Sequence, residues 1–222
     1  MKKIITFCLV LGYLTAFCQK NVRRDTLVNN GVYEALYSFT YGQPVYVKYK
    51  LYNGGGDCNR KKESFNFKKD TLIKGLTADG DDYEGSGLDK GHLANAEDFA
   101  FDCKKTEKTF RYYNCLPQTV ALNRGEWKEH EEKVRKMSQT DSLLIFCGGL
   151  VYKNSKKIKE NSVLKIPNQC YKVVISLSTH KLLDCVIFNN NDEPEEKKIP
   201  LNELEYKTKF YFERITRFSI KQ

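Results

Sequence analysis

Three stretches of the sequence decide what this chain folds into: Asp89-Lys-Gly-His92, Tyr113-Asn-Cys-Leu-Pro-Gln118 and Leu122-Asn-Arg-Gly-Glu-Trp-Lys-Glu-His-Glu131. The first places a histidine directly after a glycine, which loosens the backbone beside a potential base. The third opens a proline-free run of helix formers that extends to Met137, and this run predicts one helix over residues 122–137. Each stretch alone is a weak signal, so their order and spacing carry the argument.

Apolar runs on either side of these stretches predict a sheet. Pro44–Leu51 alternates apolar and polar residues, as a strand with one solvated face does. Three later runs are short, apolar and rich in β-branched residues: Leu143–Cys147, Tyr171–Leu177 and Leu182–Phe188. The polar segment 19–30 and the charged segment 189–198 predict irregular connections, and residues 201–220 predict a terminal helix. Because no internal repeat or low-complexity linker occurs, we expect one domain over residues 19–222.

The composition is that of a globular protein with a sizeable core. Of the 222 residues, 41% are hydrophobic and 29% are charged, which excludes an intrinsically disordered chain. Lysine and arginine number 37 against 28 acidic residues, so the formal net charge is +9. A positive excess suits a polyanionic substrate, but this one is modest and therefore supports such a function without establishing it.

Residues 1–18 predict a secretory signal peptide. A basic start is followed by an apolar run from Ile4 to Phe17, and small residues at positions 16 and 18 suit cleavage before Gln19. A buried N-terminal helix is the competing interpretation, and bulky Phe17 argues against a lipid anchor at Cys18. We therefore expect a secreted or periplasmic protein. No later apolar run reaches the roughly 18 residues of a membrane span.

Six of the eight cysteines lie beyond this leader, which fits disulfide bonds in an oxidising compartment. They are Cys58, Cys103, Cys115, Cys147, Cys170 and Cys185. The sequence does not choose among the many pairings, and some of these residues are equally interpreted as buried thiols. A zinc site is disfavoured, because the chain has no C-x-x-C pair and no closely spaced histidine pair.

Taken together, the three opening stretches resemble the non-specific DNA/RNA endonuclease family of the ββα-metal, or His-Me finger, nucleases. That family shows an Asp-Arg-Gly-His motif, an Asn-x-x-Pro-Gln strand, and an Asn followed by a Trp and a Glu on one helix. The likeness extends over roughly residues 40–195. It implies an α+β fold in which a central antiparallel β-sheet is flanked by helices and carries a ββα-metal catalytic motif.

The resemblance implies a catalytic role for several residues. His92 would be the general base that takes a proton from the attacking water, since a neutral imidazole titrates near pH 7. Its other ring nitrogen would be held by a backbone carbonyl. Arg60 would contact the scissile phosphate, Lys90 would help to position phosphate, and Asn114 would support the geometry of the base or of a metal-bound water.

The metal that the resemblance implies is Mg²⁺, although Mn²⁺ also suits a hydrated oxygen site. Asn123 would ligate it directly. On a regular helix Glu131 would lie about 12 Å further along the axis, so it would act through a metal-bound water. Taken singly, Asn123 could be a helix N-cap and Glu131 a solvated surface acid. Lys90 departs from the family's usual arginine and loses the bidentate fork, which implies looser phosphate positioning and greater salt sensitivity.

The function implied is a metal-dependent, sequence-non-specific endonuclease that hydrolyses phosphodiester bonds of DNA and RNA and leaves 5′-phosphate ends. DNA and RNA would be its substrates, a homodimer is left open, and neither a membrane nor a protein partner is indicated. Three alternatives remain at this point. They are a catalytically inactive nucleic-acid-binding module of the same fold, an exported nuclease toxin, and a phosphodiesterase acting on small nucleotides.

Overall fold

The computed structural model describes residues 25–60, 65–73 and 77–212 and shows the expected α+β fold. Its main sheet has seven antiparallel strands in the order β1-β2-β3-β6-β7-β8-β9, and β4 and β5 form a separate antiparallel pair. The strands are β1 (Thr26–Asn29), β2 (Glu34–Ser38), β3 (Gln43–Leu51), β4 (Leu88–His92), β5 (Cys115–Thr119), β6 (Leu143–Leu150), β7 (Gln169–Ser176), β8 (Leu182–Asn189) and β9 (Glu196–Lys198). The helices are α1 (Gly80–Tyr83), α2 (Cys103–Thr109), α3 (Val120–Arg124), α4 (Glu126–Met137) and α5 (Leu201–Thr208).

The centre of the sheet consists of the four strands that the sequence pattern predicts, β3, β6, β7 and β8. The edge strands β1 and β9 were not predicted, since both lie in polar or charged segments. Four paired positions with β2 and three with β8 are enough to order β1 and β9 without an apolar repeat. The prediction of irregular connections is therefore wrong at Thr26–Asn29 and Glu196–Lys198.

Most of both sheet faces is buried, so the inner strands are largely apolar, although Lys48 and Lys50 keep part of one face of β3 accessible to solvent. One face packs against α4 through Trp127 and Val134. The other face packs against α5 through Leu204, with Phe146 and Tyr171 on the sheet side. The sheet is therefore the middle layer of the molecule, and the β4–β5 pair that carries His92 packs on the same face as α4, where Gln118 of β5 lies 3.4 Å from Cys170 of β7.

The predicted helix over 122–137 is in fact two helices that meet at Gly125. A Cβ atom at Gly125 would lie 2.6 Å from the carbonyl oxygen of Ala121, so only glycine fits this junction. The predicted terminal helix is interrupted, because α5 ends at Thr208 and residues 209–211 are not helical. Lys209 adopts a left-handed conformation with φ of 61° and closes the helix by donating its backbone N–H to Glu205. Residues 213–220 of that prediction lie outside the described residues.

One disulfide joins Cys58 to Cys103. Cys115, Cys147, Cys170 and Cys185 are free and buried, as the alternative interpretation of the cysteines held. Within the described ranges, no helix combines the length and the apolar character that a bilayer span requires. The predicted signal peptide lies outside the described residues and stays a prediction.

Candidate active site

A cleft of about 940 Å³ opens where the β4–β5 pair meets α3 and α4. It is lined by His92, Asn123 and Glu131, together with the predicted phosphate contacts Arg60 and Lys90. Six lysine and arginine residues line it against three glutamates, so its charge suits an anion. The six are Arg60, Lys90, Arg124, Lys128, Arg135 and Lys136. Of the sequence-predicted site residues, Asn114 does not line this cleft.

His92 ends strand β4 and is enclosed by aromatic rings. The ring of Phe67 lies 4.5 Å from the imidazole, centroid to centroid, and the ring of Phe110 lies 4.8 Å away. This burial lowers the pKa of His92 to about 3, and the positive charge of Arg60 acts in the same direction. Its Nε2 is buried without a hydrogen-bond partner among the described residues, so the carbonyl contact implied by the resemblance is not formed at this atom. His92 is therefore neutral at physiological pH.

The backbone around His92 is fixed from two sides. Trp127 on α4 donates its indole N–H to the carbonyl oxygen of His92 at 3.1 Å. Asn114, which is completely buried, bonds through its side chain to both backbone groups of Ala94 and to the carbonyl of Thr109. All of these Asn114 contacts are with backbone atoms, so Asn114 holds the chain just beyond His92 in place.

Gly91 of the Asp-Lys-Gly-His stretch is required by packing. A Cβ atom there would lie 1.8 Å from Oε1 of Gln118, which is fully buried on β5. The two residues belong to separate sequence motifs, and the antiparallel pairing of β4 with β5 brings them together. The glycine therefore lets β5 approach closely enough to set the position of His92.

Asn123 lies at the other end of the cleft, near the end of α3. It is not the helix N-cap, because Thr119 caps α3 by accepting a bond from the backbone N–H of Leu122. Its Nδ2 donates to Oδ2 of Asp89 at 3.0 Å, which orients the amide and turns Oδ1 away from that carboxylate. Asp89 also binds Arg124 through both oxygens, at 2.8 and 2.9 Å, and these partners hold its pKa below the usual range.

Glu131 is buried, with 6% of its surface exposed, so it is not a solvated surface acid. One of its oxygens accepts a short hydrogen bond from Nδ2 of Asn95, while Oε1 is buried without a hydrogen-bond partner among the described residues. Burial raises the pKa of Glu131 to about 7, and the nearby ammonium of Lys172 partly opposes that shift. A buried carboxylate with one unbound oxygen is suited to receive a further donor or a hydrated cation.

The break at Gly125 changes the expected relation of Asn123 and Glu131. They were predicted to share one regular helix, with an axial separation of about 12 Å. They lie instead on α3 and α4, and both line the same cleft. The rise of one regular helix therefore does not give the distance between Asn123 and Glu131.

Arg60 and Lys90 lie at the cleft as predicted, but each has a protein partner. A guanidinium nitrogen of Arg60 lies 2.5 Å from a carboxylate oxygen of Glu97, and both side chains are about one-third exposed. The ammonium of Lys90 lies 5.2 Å from the ring centre of Tyr83. These contacts are solvent-accessible or weak, so they leave both cations able to exchange onto a ligand.

Three residues of this region were missed from the sequence: Asn95, Arg135 and Lys172. Asn95 accepts bonds at Oδ1 from the backbone of Glu97 and from Arg135, which points its Nδ2 at Glu131. Arg135 also binds the buried Asp98 at 2.9 Å. The position of Asn95, three residues after His92, was the one available signal, since Arg135 and Lys172 look like ordinary helix and strand cations.

A second group of ionisable residues lies outside the cleft, at the β8–β9 edge. The ligand atoms of His130, Asp184 and Glu196 all lie within 4.8 Å of one another, a spacing that could hold a metal ion. However, the ammonium of Lys133 lies 2.6 Å from Oδ2 of Asp184 and already supplies a positive charge there. None of the three lines the cleft.

A model of the DNA/RNA non-specific endonuclease family matches residues 15–216 of this chain. The chain belongs to that family. The family is metal-dependent. The family assignment that the three opening stretches imply is thereby confirmed.

Individual relatives are more distant. Mitochondrial endonuclease G of Bos taurus is 27% identical over 156 residues, which cover 66% of this chain and 52% of that protein. Mitochondrial nuclease EXOG of Homo sapiens is 31% identical over 142 residues, covering 57% and 38%. The chain thus spans about half or less of the length of these relatives.

A solved structure described as the EndoG/EndoGI complex matches with a TM-score of 0.74. It is 22% identical and covers 86% of this chain and 87% of that chain. At this identity the match concerns the fold, and it agrees with the α+β architecture described above.

Proposed function

We propose that this protein is an endonuclease that hydrolyses phosphodiester bonds within DNA and RNA, without sequence specificity, and leaves 5′-phosphate ends. The observation that carries the proposal is a histidine at the wall of a cation-lined cleft that Asn123 and Glu131 also line. A neutral imidazole can accept a proton, and a cleft with excess positive charge holds the polyanionic backbone. No base-reading element is needed for such a site, which suits a non-specific enzyme.

His92 is proposed as the general base. Its Nε2 is covered by protein, which leaves Nδ1 as the ring nitrogen that a water molecule in the cleft can reach. That water would attack phosphorus as His92 takes its proton, and the bond from phosphorus to the 3′ oxygen would break. The hydrogen bond from Trp127 and the clamp of Asn114 fix the backbone on both sides of the base.

The residues of the cleft fit a hydrated divalent cation. The buried Oε1 of Glu131 has no hydrogen-bond partner among the described residues, and Oδ1 of Asn123 is turned away from Asp89. Asn123 would hold Mg²⁺ or Mn²⁺ directly, and Glu131 would hold it through a water, as oxygen ligands suit these ions. When bound, the ion would supply positive charge for the phosphoryl oxygens and the leaving oxygen.

Phosphate binding is assigned to Arg60 and Lys90. Each lies at the cleft with a partner that a phosphate could replace, the exposed Glu97 for Arg60 and the Tyr83 ring for Lys90. Arginine can offer two parallel N–H groups to phosphate, whereas lysine acts as a point charge. Arg60 would therefore orient the scissile phosphate and Lys90 would mainly attract it.

We further propose that residues 1–18 are a signal peptide, that residues 19–222 form one nuclease domain, and that the protein is secreted or periplasmic. The run of apolar residues after Lys2 and Lys3 supports this proposal. N-terminal sequencing of the full-length product from cells and from medium tests it. A mature start at Gln19 outside the cytoplasm is expected, and an intact Met1 start inside the cell contradicts it.

The enzymatic proposal is tested by incubating residues 19–222 with closed-circular DNA and with a structured RNA, in Mg²⁺ and in EDTA, beside His92→Ala and Asn123→Ala. Metal-dependent cutting of both polymers by wild type alone is expected. Fragments that can be end-labelled by kinase only after phosphatase treatment identify the 5′-phosphate. Retained salt-sensitive binding without cutting overturns the proposal in favour of an inactive binding module.

A further inference from the structure

Lys172 is a fully buried lysine that the proposed catalytic steps do not use. It lies in the middle of β7 with 1% of its side chain exposed. Lysine is almost never buried to this extent unless its charge is compensated. Alternation along β7 places it between Cys170 and Val174, on the sheet face that α4 covers. Its ammonium therefore points at the underside of the helix that carries Glu131.

Two residues of α4 meet this ammonium. Nζ of Lys172 lies 4.2 Å from the ring centre of Trp127 and 3.8 Å from Oε1 of Glu131. The first contact is a cation–π interaction in a site closed to water, where such contacts are strongest. The second is an ion-pair distance that leaves Oε1 without a hydrogen bond. One buried charge thus holds a tryptophan and a carboxylate that are four positions apart on the same helix.

Both contacts lead to the cleft. Trp127 donates its indole N–H to the carbonyl oxygen of His92, so the position of the ring affects the strand that carries the proposed base. Glu131 is gripped on its other oxygen by Asn95, whose orientation Arg135 and the backbone of Glu97 fix. Lys172 contacts both Trp127 and Glu131 from the side of the sheet, opposite the cleft.

The remaining charges around Lys172 do not replace Glu131 as its partner. Burial raises the pKa of Asp98 while the charges of Arg135 and Lys172 oppose that shift, but Asp98 is already bound at 2.9 Å by both Tyr49 and Arg135. His130 is neutral, because burial lowers its pKa to about 4. Of the acidic side chains near Lys172 in the described part of the chain, Glu131 is therefore the one that also lines the cleft.

We propose that Lys172 is a positioning residue of the nuclease site: its buried ammonium holds the Glu131 carboxylate and the Trp127 ring in register with His92. The proposal rests on the proposed function of Glu131 and His92. A neutral residue at position 172 would leave Glu131 buried without its counter-charge, so the carboxylate would lose the contact that orients it. Residues that orient the ligands of a metal site in this way typically contribute about 10- to 100-fold.

The test compares Lys172→Met, which keeps the length of the side chain and removes its charge, with Lys133→Met as the matched control. Lys133 is a cation on the same helix α4 that pairs with Asp184, away from the cleft. We expect Lys172→Met to lower kcat about 10- to 100-fold with KM nearly unchanged, and to weaken Mn²⁺ binding measured by electron paramagnetic resonance. Lys133→Met should keep both values.

A double-mutant cycle separates positioning from a general loss of packing. In a Glu131→Gln background, Lys172→Met should lower kcat by a smaller factor than in the wild type, because the charge it positions is already absent and only its contact with Trp127 remains to be lost. The double variant also removes the uncompensated charge, so its melting temperature reports whether the core tolerates methionine. An equal loss of kcat in both backgrounds, or a lowered melting temperature with unchanged kcat and Mn²⁺ binding, overturns the proposal. If the wild type binds Mn²⁺ but cuts no nucleic acid, the proposed function fails, and the Mn²⁺ comparison still judges Lys172.

Discussion

Residues 130 and 131 are consecutive on α4 and both are buried, yet they face two opposite electrostatic environments. His130 belongs to the edge cluster, which we define as His130, Lys133, Asp184 and Glu196. Glu131 belongs to the cleft cluster, defined as His92, Asn95, Asn123 and Glu131. Both clusters combine a histidine with a buried carboxylate, Asp184 in the edge cluster and Glu131 in the cleft cluster, and only the second cluster lines the cleft.

The edge cluster is balanced by its own charges. Asp184 has Lys133 at 2.6 Å, His130 at 3.4 Å and Lys198 at 3.8 Å. Although burial alone would raise the pKa of Asp184, these partners hold it far below the usual range. The carboxylate is thus satisfied without any ligand, and its interactions stabilise the folded chain.

The cleft cluster is left incomplete. His92 Nε2 and Glu131 Oε1 are both buried without hydrogen-bond partners among the described residues. Burial shifts both pKa values in the direction that favours the neutral form: the pKa of His92 is lowered to about 3, and the pKa of Glu131 is raised to about 7. Unpaired buried groups lower stability, and such groups concentrate where a protein binds or reacts. The contrast lies in the carboxylates, because each histidine has one buried ring nitrogen without a hydrogen-bond partner among the described residues, Nε2 of His92 and Nδ1 of His130. Asp184 is satisfied by neighbouring cations, whereas Oε1 of Glu131 is not satisfied and belongs to the cluster that lines the cleft.

The largest expected difference between the two clusters is the effect of replacing each histidine by alanine. His92→Ala should reduce kcat on DNA by about 10²- to 10⁴-fold, because it removes the general base. His130→Ala should keep activity within a few-fold and lower the melting temperature, since its ring packs on Phe188 in the core. Initial rates on closed-circular DNA and thermal melts of both variants measure this. Similar kinetic losses in the two variants would mean that the clusters do not differ in role.

Asp184→Asn tests the stabilising half of the comparison. It removes the counter-charge of Lys133 and a hydrogen bond to a charged group, so the free energy of unfolding should fall by about 2 kcal/mol. Activity at a temperature where the variant is folded should be unchanged. Urea unfolding of the variant and of wild type gives the stability, and a plasmid assay gives the activity. Loss of activity without loss of stability would assign the edge cluster to catalysis.

The two carboxylates should respond to pH with opposite signs. The folded pKa of Glu131 is raised from 4.5 to about 7, so its contribution to stability is present below about pH 4.5 and lost as pH rises toward 7. The folded pKa of Asp184 is lowered, so its contribution is present above its unfolded pKa and lost as pH falls.

Melting temperatures in EDTA measure this difference. The melting temperature of Glu131→Gln relative to wild type should rise between pH 5 and 8, because the variant has no carboxylate to ionise. That of Asp184→Asn relative to wild type should rise as pH falls from 5 to 3. A pH-independent difference for Glu131→Gln would show that this carboxylate is not held in a charge-poor site.

The smallest expected effect sharpens the description of the cleft. Lys90→Arg would restore a planar fork at the position where the family usually has arginine, so substrate should bind about threefold tighter or less. The loss of activity between low and moderate salt should become less steep. Rates on DNA over a series of NaCl concentrations measure this. Weaker binding by the arginine variant would indicate that Lys90 is needed for its contact with the Tyr83 ring.

Much of the fold was predictable from local pattern, and the exceptions have physical causes. Strand β3 was predicted from its alternation of apolar and polar residues, and strands β6–β8 were predicted because burial on both faces demands largely apolar residues along them. Strands β1 and β9 were not, since backbone pairing at a sheet edge leaves little trace in residue type. The break at Gly125 was missed because a single glycine is tolerated within a helical pattern. The close approach of Gly125 to the carbonyl oxygen of Ala121, which leaves no room for a Cβ atom, is visible only in the folded chain.

The sequence by itself determined the family and the candidate residues, because the chemistry of His92, Asn123 and Glu131 is expressed in residue types at fixed spacing. Only the tertiary structure decided which charges are compensated. Lys172 comes 41 positions after Glu131 in the chain, yet its Nζ lies 3.8 Å from Oε1 of Glu131. In the same way, Asp184 on β8 meets Lys133 on α4. Electrostatic energy depends on distance and burial, which no local pattern of residues encodes. The difference between the edge cluster and the cleft cluster is therefore a property of the folded chain.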